Sequence, residues 1–197
     1  MFGRHIYTAV MSITSDREGL LNEIYDTEHV PAFKTVPGII EVRRYRRVAP
    51  AGRFYLAVYE IETPDVPTSP DWLRARDLGR WPTQVRPYTS GLHNGLYTWR
   101  SGFGGERRAD AAGLSLIALR LEDPAAIDAA VARMADPSAA DEAVVAGADY
   151  ADLRSGEHLL VIGSRPRAAP EDGRLPRDLA GLGPIETYAP VGSGSVP

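Results

Sequence analysis

Tyr25-Asp26-Thr27-Glu28-His29-Val30-Pro31-Ala32-Phe33-Lys34-Thr35-Val36-Pro37-Gly38-Ile39 holds the punctuation on which the fold turns. Upstream, Leu20, Leu21, Ile24, Tyr25 and Glu28 recur at helical spacing behind Ser15 or Asp16 as N-cap, which predicts a helix. Proline disfavours helical geometry in the residue before it, so this helix is expected to break around His29-Val30-Pro31. Pro37-Gly38 is a turn signal, after which Ile39 to Val48 reads as a strand.

Working outward, His5 to Ile13 alternates in polarity and is rich in β-branched residues, which predicts a first strand. Phe54 to Ile61 predicts a third, paired with Ile39 to Val48 as a hairpin through Ala49-Pro50-Ala51-Gly52. Ser69 as N-cap and Pro70 at the first helical position open a second helix through about Gly79. An irregular stretch, Arg80 to Gly91, leads to a fourth strand at Gly95 to Trp99. The order is β-α-β-β-α-β, the split βαβ pattern of ferredoxin-like folds.

The pattern then repeats without sequence identity. Strand Leu114 to Leu121 precedes helices through Pro124–Ala135 and Pro137–Val145. Strands around Ala148–Arg154 and His158–Ser164 follow, then a weak helix near Leu175–Leu182 and a strand at Ile185–Ala189. The join, Arg100-Ser101-Gly102-Phe103-Gly104-Gly105-Glu106-Arg107-Arg108-Ala109-Asp110, is a short connector. The expected organisation is residues 1–105 as a ferredoxin-like unit carrying the pocket, 106–191 as a degenerate second unit, and 192–197 as a flexible tail. The fold class is α+β.

Composition narrows the function classes. The 197 residues contain no cysteine, so disulfides, thiolate metal sites and a cysteine nucleophile are excluded. The net charge of −4 argues against nucleic acid, and 21 of the 22 basic residues are arginine, which reads as codon bias rather than as a binding device. No run of eighteen apolar residues exists and the start lacks an apolar signal-peptide core, so neither a membrane nor export is expected and a cytoplasmic location is. Residues 1–105 hold 13 basic and 11 acidic residues, against 9 and 15 in 106–197. Fourteen of the sixteen Phe, Tyr and Trp residues lie in the first segment, so a small-molecule pocket is sought there.

The candidate catalytic residues are His29, Asp26 and Tyr25. An imidazole titrates near neutrality and can give or take a proton. Asp26 and Tyr25, three and four residues earlier, fall on neighbouring positions of one helical face. Asp26 would fix the tautomer and Tyr25 would donate to a substrate oxygen; the alternative is that His29 and Asp26 satisfy backbone groups at a helix end. The candidate substrate-binding residues are Tyr7, Tyr45, Tyr59, Trp81 and His93. His5, Tyr7, Ala9 and Met11 share one face of the first strand, as Tyr55, Ala57 and Tyr59 do in the third, either lining a pocket or forming core. Trp81 sits in the irregular stretch, read either as a lid carrying aromatic contacts or as a connection stiffened by its prolines, and His93 in a loop, either reaching the pocket mouth or serving as a plain turn residue. Arg44 and Arg46 go to one face and Arg43 and Arg47 to the other, solvated or paired with Glu41 and Glu60. No metal-ligand spacing, P-loop, dinucleotide fingerprint or nucleophile elbow is present.

The stretch Tyr25 to Phe33, followed by Val36-Pro37-Gly38-Ile39, Arg43-Arg44-Tyr45, Tyr55 to Ile61 and Thr68-Ser69-Pro70, resembles a signature of the dimeric α+β barrel superfamily, most closely its EthD-like branch. The match spans roughly the first 90 residues. It implies two ferredoxin-like units pairing their sheets into a barrel, here as a fused tandem in one chain, either a monomer with an internal pseudo-dimer or a homodimer. It also implies ligand pockets between sheet and helices, of the kind used by cofactor-independent monooxygenases, polyketide cyclases, isomerases, decarboxylases and some haem enzymes. The region Pro124 to Gly147 has no counterpart of Tyr25, Asp26 or His29, so one site is expected rather than two. The expected function is cofactor-independent acid/base chemistry on an aromatic or polyketide-like molecule. Cofactor-free oxygenation and a non-catalytic ligand-binding barrel are the alternatives, and haem held by His158 is a further one.

Overall fold

A computed structural model describes residues 3–49, 53–103, 115–121, 125, 128–129, 131–132, 144–153, 155, 158–164 and 185–191. They fall into two compact units: an N-terminal unit of residues 4–46, 52–96 and 191–197, and a C-terminal unit of 1–3, 47–51 and 97–190.

In the N-terminal unit, β1 (His5–Ile13), β2 (Ile39–Ala49) and β3 (Phe54–Ile61) follow the expected alternation. Both pairings are antiparallel, with Tyr7 opposite Tyr59 and Ala9 opposite Ala57, and with Val42 opposite Tyr59 and Arg44 opposite Ala57. β4 (Thr89–Phe103) lies beside β1, which makes the order β4-β1-β3-β2. The period of two sends Ala9, Met11, Val42, Tyr55, Ala57, Tyr59 and Ile61 to one face. There they pack against Leu21, Ile24, Tyr25, Phe33, Trp72 and Ala75 of the helices as one core.

The first helix does not break at Pro31. It runs as α1 (Glu18–Ile24), a wide π-turn at Tyr25–His29, and α2 (Val30–Lys34). Pro31 has no N–H to give to the Thr27 carbonyl, and in a regular helix its ring would collide with that carbonyl. The wide turn relieves both problems: Val30 N–H bonds to Tyr25 O, an i to i−5 bond, and Thr27 Oγ1 donates to Glu23 O at 2.8 Å. Proline here widens one turn and the helix continues.

α3 (Pro70–Arg76) is capped as expected, Ser69 Oγ accepting from Trp72 N–H at 3.2 Å, but it ends at Arg76 rather than near Gly79. The following stretch is a second π-turn (Trp81–Val85) and a 3-10 turn (Arg86–Tyr88). β4 begins at Thr89, so His93 stands on a strand and not in a loop. The long-range contact that starts it is Ser12 Oγ to Ser90, at 3.1 Å to the carbonyl and 2.7 Å to the hydroxyl.

The Pro37-Gly38 turn needs its glycine twice over. Gly38 has φ +84, and an added Cβ would stand 2.7 Å from Val66 Cγ2 while Gly38 O accepts from Glu62 N–H at 2.8 Å. Gly38→Ala is expected to cost about 1–3 kcal/mol, seen as a lower urea midpoint at unchanged slope.

In the C-terminal unit, β5 (Ser115–Leu121), β6 (Val144–Asp152), β7 (His158–Ser164) and β8 (Ile185–Pro190) take the order β8-β5-β7-β6, with β6 antiparallel to β4. Ala118 and Ala148 both face Val161 across the ladders, and Leu119 faces Ile185. Val144 and Val145 belong to β6 rather than to a helix, in keeping with the strand preference of β-branched residues. Of the expected helix at 124–135, the described residues Ala125, Asp128, Ala129, Val131 and Ala132 are helical. The rest of the expected helices, the loop at 50–52, residues 104–110 of the join and the tail 192–197 lie outside the described residues.

Candidate functional site

The wide turn gives the site its geometry. Tyr25 and His29, four residues apart, come into edge contact with ring centroids at 4.8 Å. His29 also meets Phe33 at 4.8 Å, and it lies nearly parallel to Trp81 at 4.5 Å and 29°. Trp81 reaches Tyr25 at 5.1 Å. Deeper in the unit, Phe33, Tyr59 and Trp72 interlock at 4.6–5.0 Å, and Tyr7 closes on Trp72 at 5.0 Å and Tyr59 at 6.0 Å. Such offset and edge contacts suit the aromatic quadrupole. The Tyr59 and Tyr25 hydroxyls share a hydrogen bond, and both phenols are held above their ordinary pKa, chiefly by burial. Tyr7 is only partly buried, which makes it the solvent-facing member of this set.

His29 is 5% exposed, and its Nδ1 has no hydrogen-bond partner among the described residues. Burial, reinforced by the charges of Arg44 and Arg86 and opposed by Asp77, lowers its pKa to about 3. The imidazole is therefore neutral at pH 7, and making it imidazolium costs about 5 kcal/mol more than in water. A buried polar atom without a partner is uncommon, and the ring that carries this one is in contact with Tyr25, Phe33 and Trp81.

Asp26 does not hold the imidazole. It accepts from Arg44 Nη1 at 2.7 Å, and Arg44 Nη2 donates to Asn22 Oδ1 at 2.6 Å. The guanidinium lies 4.2 Å over the Tyr25 ring and 5.7 Å over that of Tyr55. Arg44 is thus a buried, paired cation rather than a solvated one. Alternation told which face it takes, but not that α1 covers that face. Glu18, Asn22 and Asp26, spaced by four, run down α1 and into the wide turn as a polar seam; Tyr55 donates to Glu18 at 2.7 Å and accepts from Asn22 at 3.3 Å. The remaining arginine expectation stands in part, since Arg43 is paired with Glu60.

A strap from Gly79 to Tyr88 carries Trp81 onto His29. Arg80 N–H donates to Glu28 Oε2 at 2.9 Å, its Nε to Glu28 Oε1, and its Nη2 to Glu23 at 2.8 Å. Arg86 donates to Asp77 and to Arg76 O, and hydrogen bonds from the side chains of Arg76 and Arg86 hold the Asp77 carboxyl down to about 2. The structure therefore brings Tyr25, His29, Trp81, Tyr59 and Tyr7 together. It leaves Tyr45, buried on the opposite sheet face, and His93 on β4 outside the cluster. Trp72, Phe33 and Arg44 belong to the cluster and were not singled out; as helix aromatics and a strand arginine they carry no local signal beyond ordinary core and surface patterning. Among the described residues no group of three or more His, Asp or Glu could hold a metal, and no helix is long and apolar enough to cross a membrane.

No family model and no curated protein matches the chain. Solved structures do. An anthrone oxidase-like protein superposes with TM-score 0.59 at 12% identity, covering 96% of this chain and 92% of its own. A candidate monooxygenase from Fusobacterium nucleatum gives 0.58 at 9% identity, covering 96% and 94%. Chlorite dismutase from Candidatus Nitrospira defluvii gives 0.56 at 12%, covering 94% and 91%. These neighbours have the dimeric α+β barrel fold, and the likeness is one of fold.

Proposed function

We propose that the chain is a pair of ferredoxin-like units fused as a dimeric α+β barrel, nearest the EthD-like branch, and that it is a cofactor-independent enzyme acting on a small aromatic or polyketide-like molecule. The observation that carries the proposal is the neutral, buried imidazole of His29 with Nδ1 unpartnered, framed by Tyr25, Phe33 and Trp81.

The chemistry is enolisation. His29 takes a proton from the carbon beside a substrate carbonyl, the C–H electron pair becomes the C=C bond of the enolate as the C=O π pair moves onto oxygen, and the proton returns at another position of the enolate as the C=O bond re-forms. An imidazolium is costly in this shell, so the step depends on the enolate charge developing beside it, which compensates the new cation. The paired Arg44 against the Tyr25 ring adds fixed positive potential that favours the enolate and, by the same charge, opposes the imidazolium. Tyr25 and Tyr59 position the substrate oxygen through their shared hydrogen bond.

The test is exchange of the α-protons of 2-tetralone in D2O, followed by proton NMR. The wild-type chain is expected to accelerate exchange, and His29→Gln to lose about 10²-fold or more of that acceleration. Exchange no faster than in buffer, or unaltered in a folded His29→Gln, removes the proposal. A second reading, cofactor-free oxygenation, draws support from the names of the structural neighbours, an anthrone oxidase-like protein and a candidate monooxygenase. Oxygen uptake with anthrone would favour it, and ligand binding with neither activity would leave a non-catalytic barrel.

A further inference from the structure

We propose that Arg44 is a positioning residue for a second proton transfer: its guanidinium, fixed against the Tyr25 ring, makes that phenol the acid that protonates the substrate oxygen while His29 takes the proton from carbon. The inference rests on the functional reading above and adds to it the residue that closes the proton balance.

Packing alone does not call for this cation. The Arg44 side chain is 5% exposed, a guanidinium is costly to bury so deeply, and an apolar side chain of like size would fill the same space. Two bonds fix it, Nη1 to Asp26 Oδ1 at 2.7 Å and Nη2 to Asn22 Oδ1 at 2.6 Å, and its main-chain carbonyl accepts from Val191 N–H at 2.9 Å. Thus pinned, the charge lies 4.2 Å over the Tyr25 ring, and the same ring meets His29 at 4.8 Å. The groups that act on the Tyr25 hydroxyl are Arg44 from β2, Tyr59 from β3 and Tyr7 from β1. Burial opposes its ionisation, and Arg44 is the foremost of these groups in favouring it.

The step balances without a buried enolate. As His29 takes the proton, the C–H pair becomes the C=C bond, and the C=O π pair takes the Tyr25 proton onto oxygen. One proton has left Tyr25 and one has reached His29, so the site holds a neutral enol, a phenolate and an imidazolium. The phenolate accepts from the Tyr59 hydroxyl, and its charged neighbours, Arg44 and the new imidazolium, are both cations. Without that anion Arg44 would only oppose the imidazolium. Both protons return as the C=O bond re-forms.

Exchange of the 2-tetralone α-protons, followed across neutral and alkaline pH, tests the proposal. Tyr25→Phe is expected to lower kcat about 10²-fold. Arg44→Gln is expected to lower it about tenfold with KM changed by less than about twofold, and Arg44→Lys, which keeps the charge without the fork, to recover part of the loss. Arg44→Gln also moves the alkaline fall of kcat to higher pH, because the charge favouring the phenolate is gone. Adding Arg44→Gln to Tyr25→Phe brings no further loss, because Arg44 acts through the phenol. A folded Arg44→Gln with wild-type kcat, an unmoved alkaline fall, Arg44→Lys no better than Arg44→Gln, or a further loss in the double variant overturns the proposal. If Arg44→Gln does not fold, Asp26→Asn decides: loss of the counter-charge moves the alkaline fall to lower pH, and an unmoved fall overturns the proposal. The two ideas fail separately. A wild-type chain that does not speed exchange removes the enzyme and this role with it, whereas exchange that these variants leave unchanged removes the role of Arg44 alone.

Discussion

Taking the protein from pH 8 to pH 4.5 is expected to cost about 2–3 kcal/mol of folding stability through His29 alone, and His29→Phe is expected to abolish that share. The native pKa of about 3 lies below the ordinary 6.5, so between those values the unfolded chain binds the proton and the native state does not. Stability therefore rises with pH across this window and is lost as pH falls, reaching about 5 kcal/mol below pH 3. His5, also lowered by burial and by Arg4, acts in the same direction and is present in both proteins, so their difference isolates His29. The Glu18, Glu28 and Asp77 carboxyls are held below their usual range by hydrogen bonds to Tyr55 and the arginines, and they titrate alike in both. The measurement is urea unfolding at half-unit pH steps. Parallel curves for the two proteins would mean that the imidazole is hydrated in solution.

Trp72→Ala is expected to cost about 3–5 kcal/mol, the largest loss from one side chain in the N-terminal unit. Trp72 is buried and touches Tyr7, Phe33 and Tyr59 with centroids at 4.6–5.0 Å, so truncation leaves a hole bounded by rings that cannot collapse independently. Trp72→Phe, which refills much of that volume, is expected to recover more than half of the loss. Equal losses in the two variants would place the effect in the Ser69-capped helix start rather than in packing.

The parts legible in the sequence were those set by local periodicity and local capping. β1, β2 and β3 show their period of two, Ser69-Pro70 opens α3, and Gly38 marks its turn. Pro31 misled because its effect on Val30 is local, whereas the compensation, a widened turn with Thr27 bonding back to Glu23, spans several residues. β4 starts earlier than expected because its first pairing partner, Ser12, is 78 residues away. In the site, Tyr25 and His29 were legible as neighbours on a helix. Arg44 was not, because its meaning depends on Asn22 and Asp26 crossing from another element. The Asp26 role went the same way: proximity in sequence suggested His29, and the stronger partner came from β2.

The wide turn at Tyr25–His29 also bears on how this chain should be aligned with its relatives. Leu21 and Phe33, both buried in one core, are twelve residues apart, which on a regular helix would set them roughly 120° apart. The turn absorbs one residue, and eleven effective steps bring them within roughly 20° of each other. A relative with a plain helix at this place would match the chain only through a one-residue gap inside the helix. An alignment that forbids such a gap would slide either the polar seam of Glu18, Asn22 and Asp26 or the pair His29 and Phe33 out of register, and the shared positions would look unrelated.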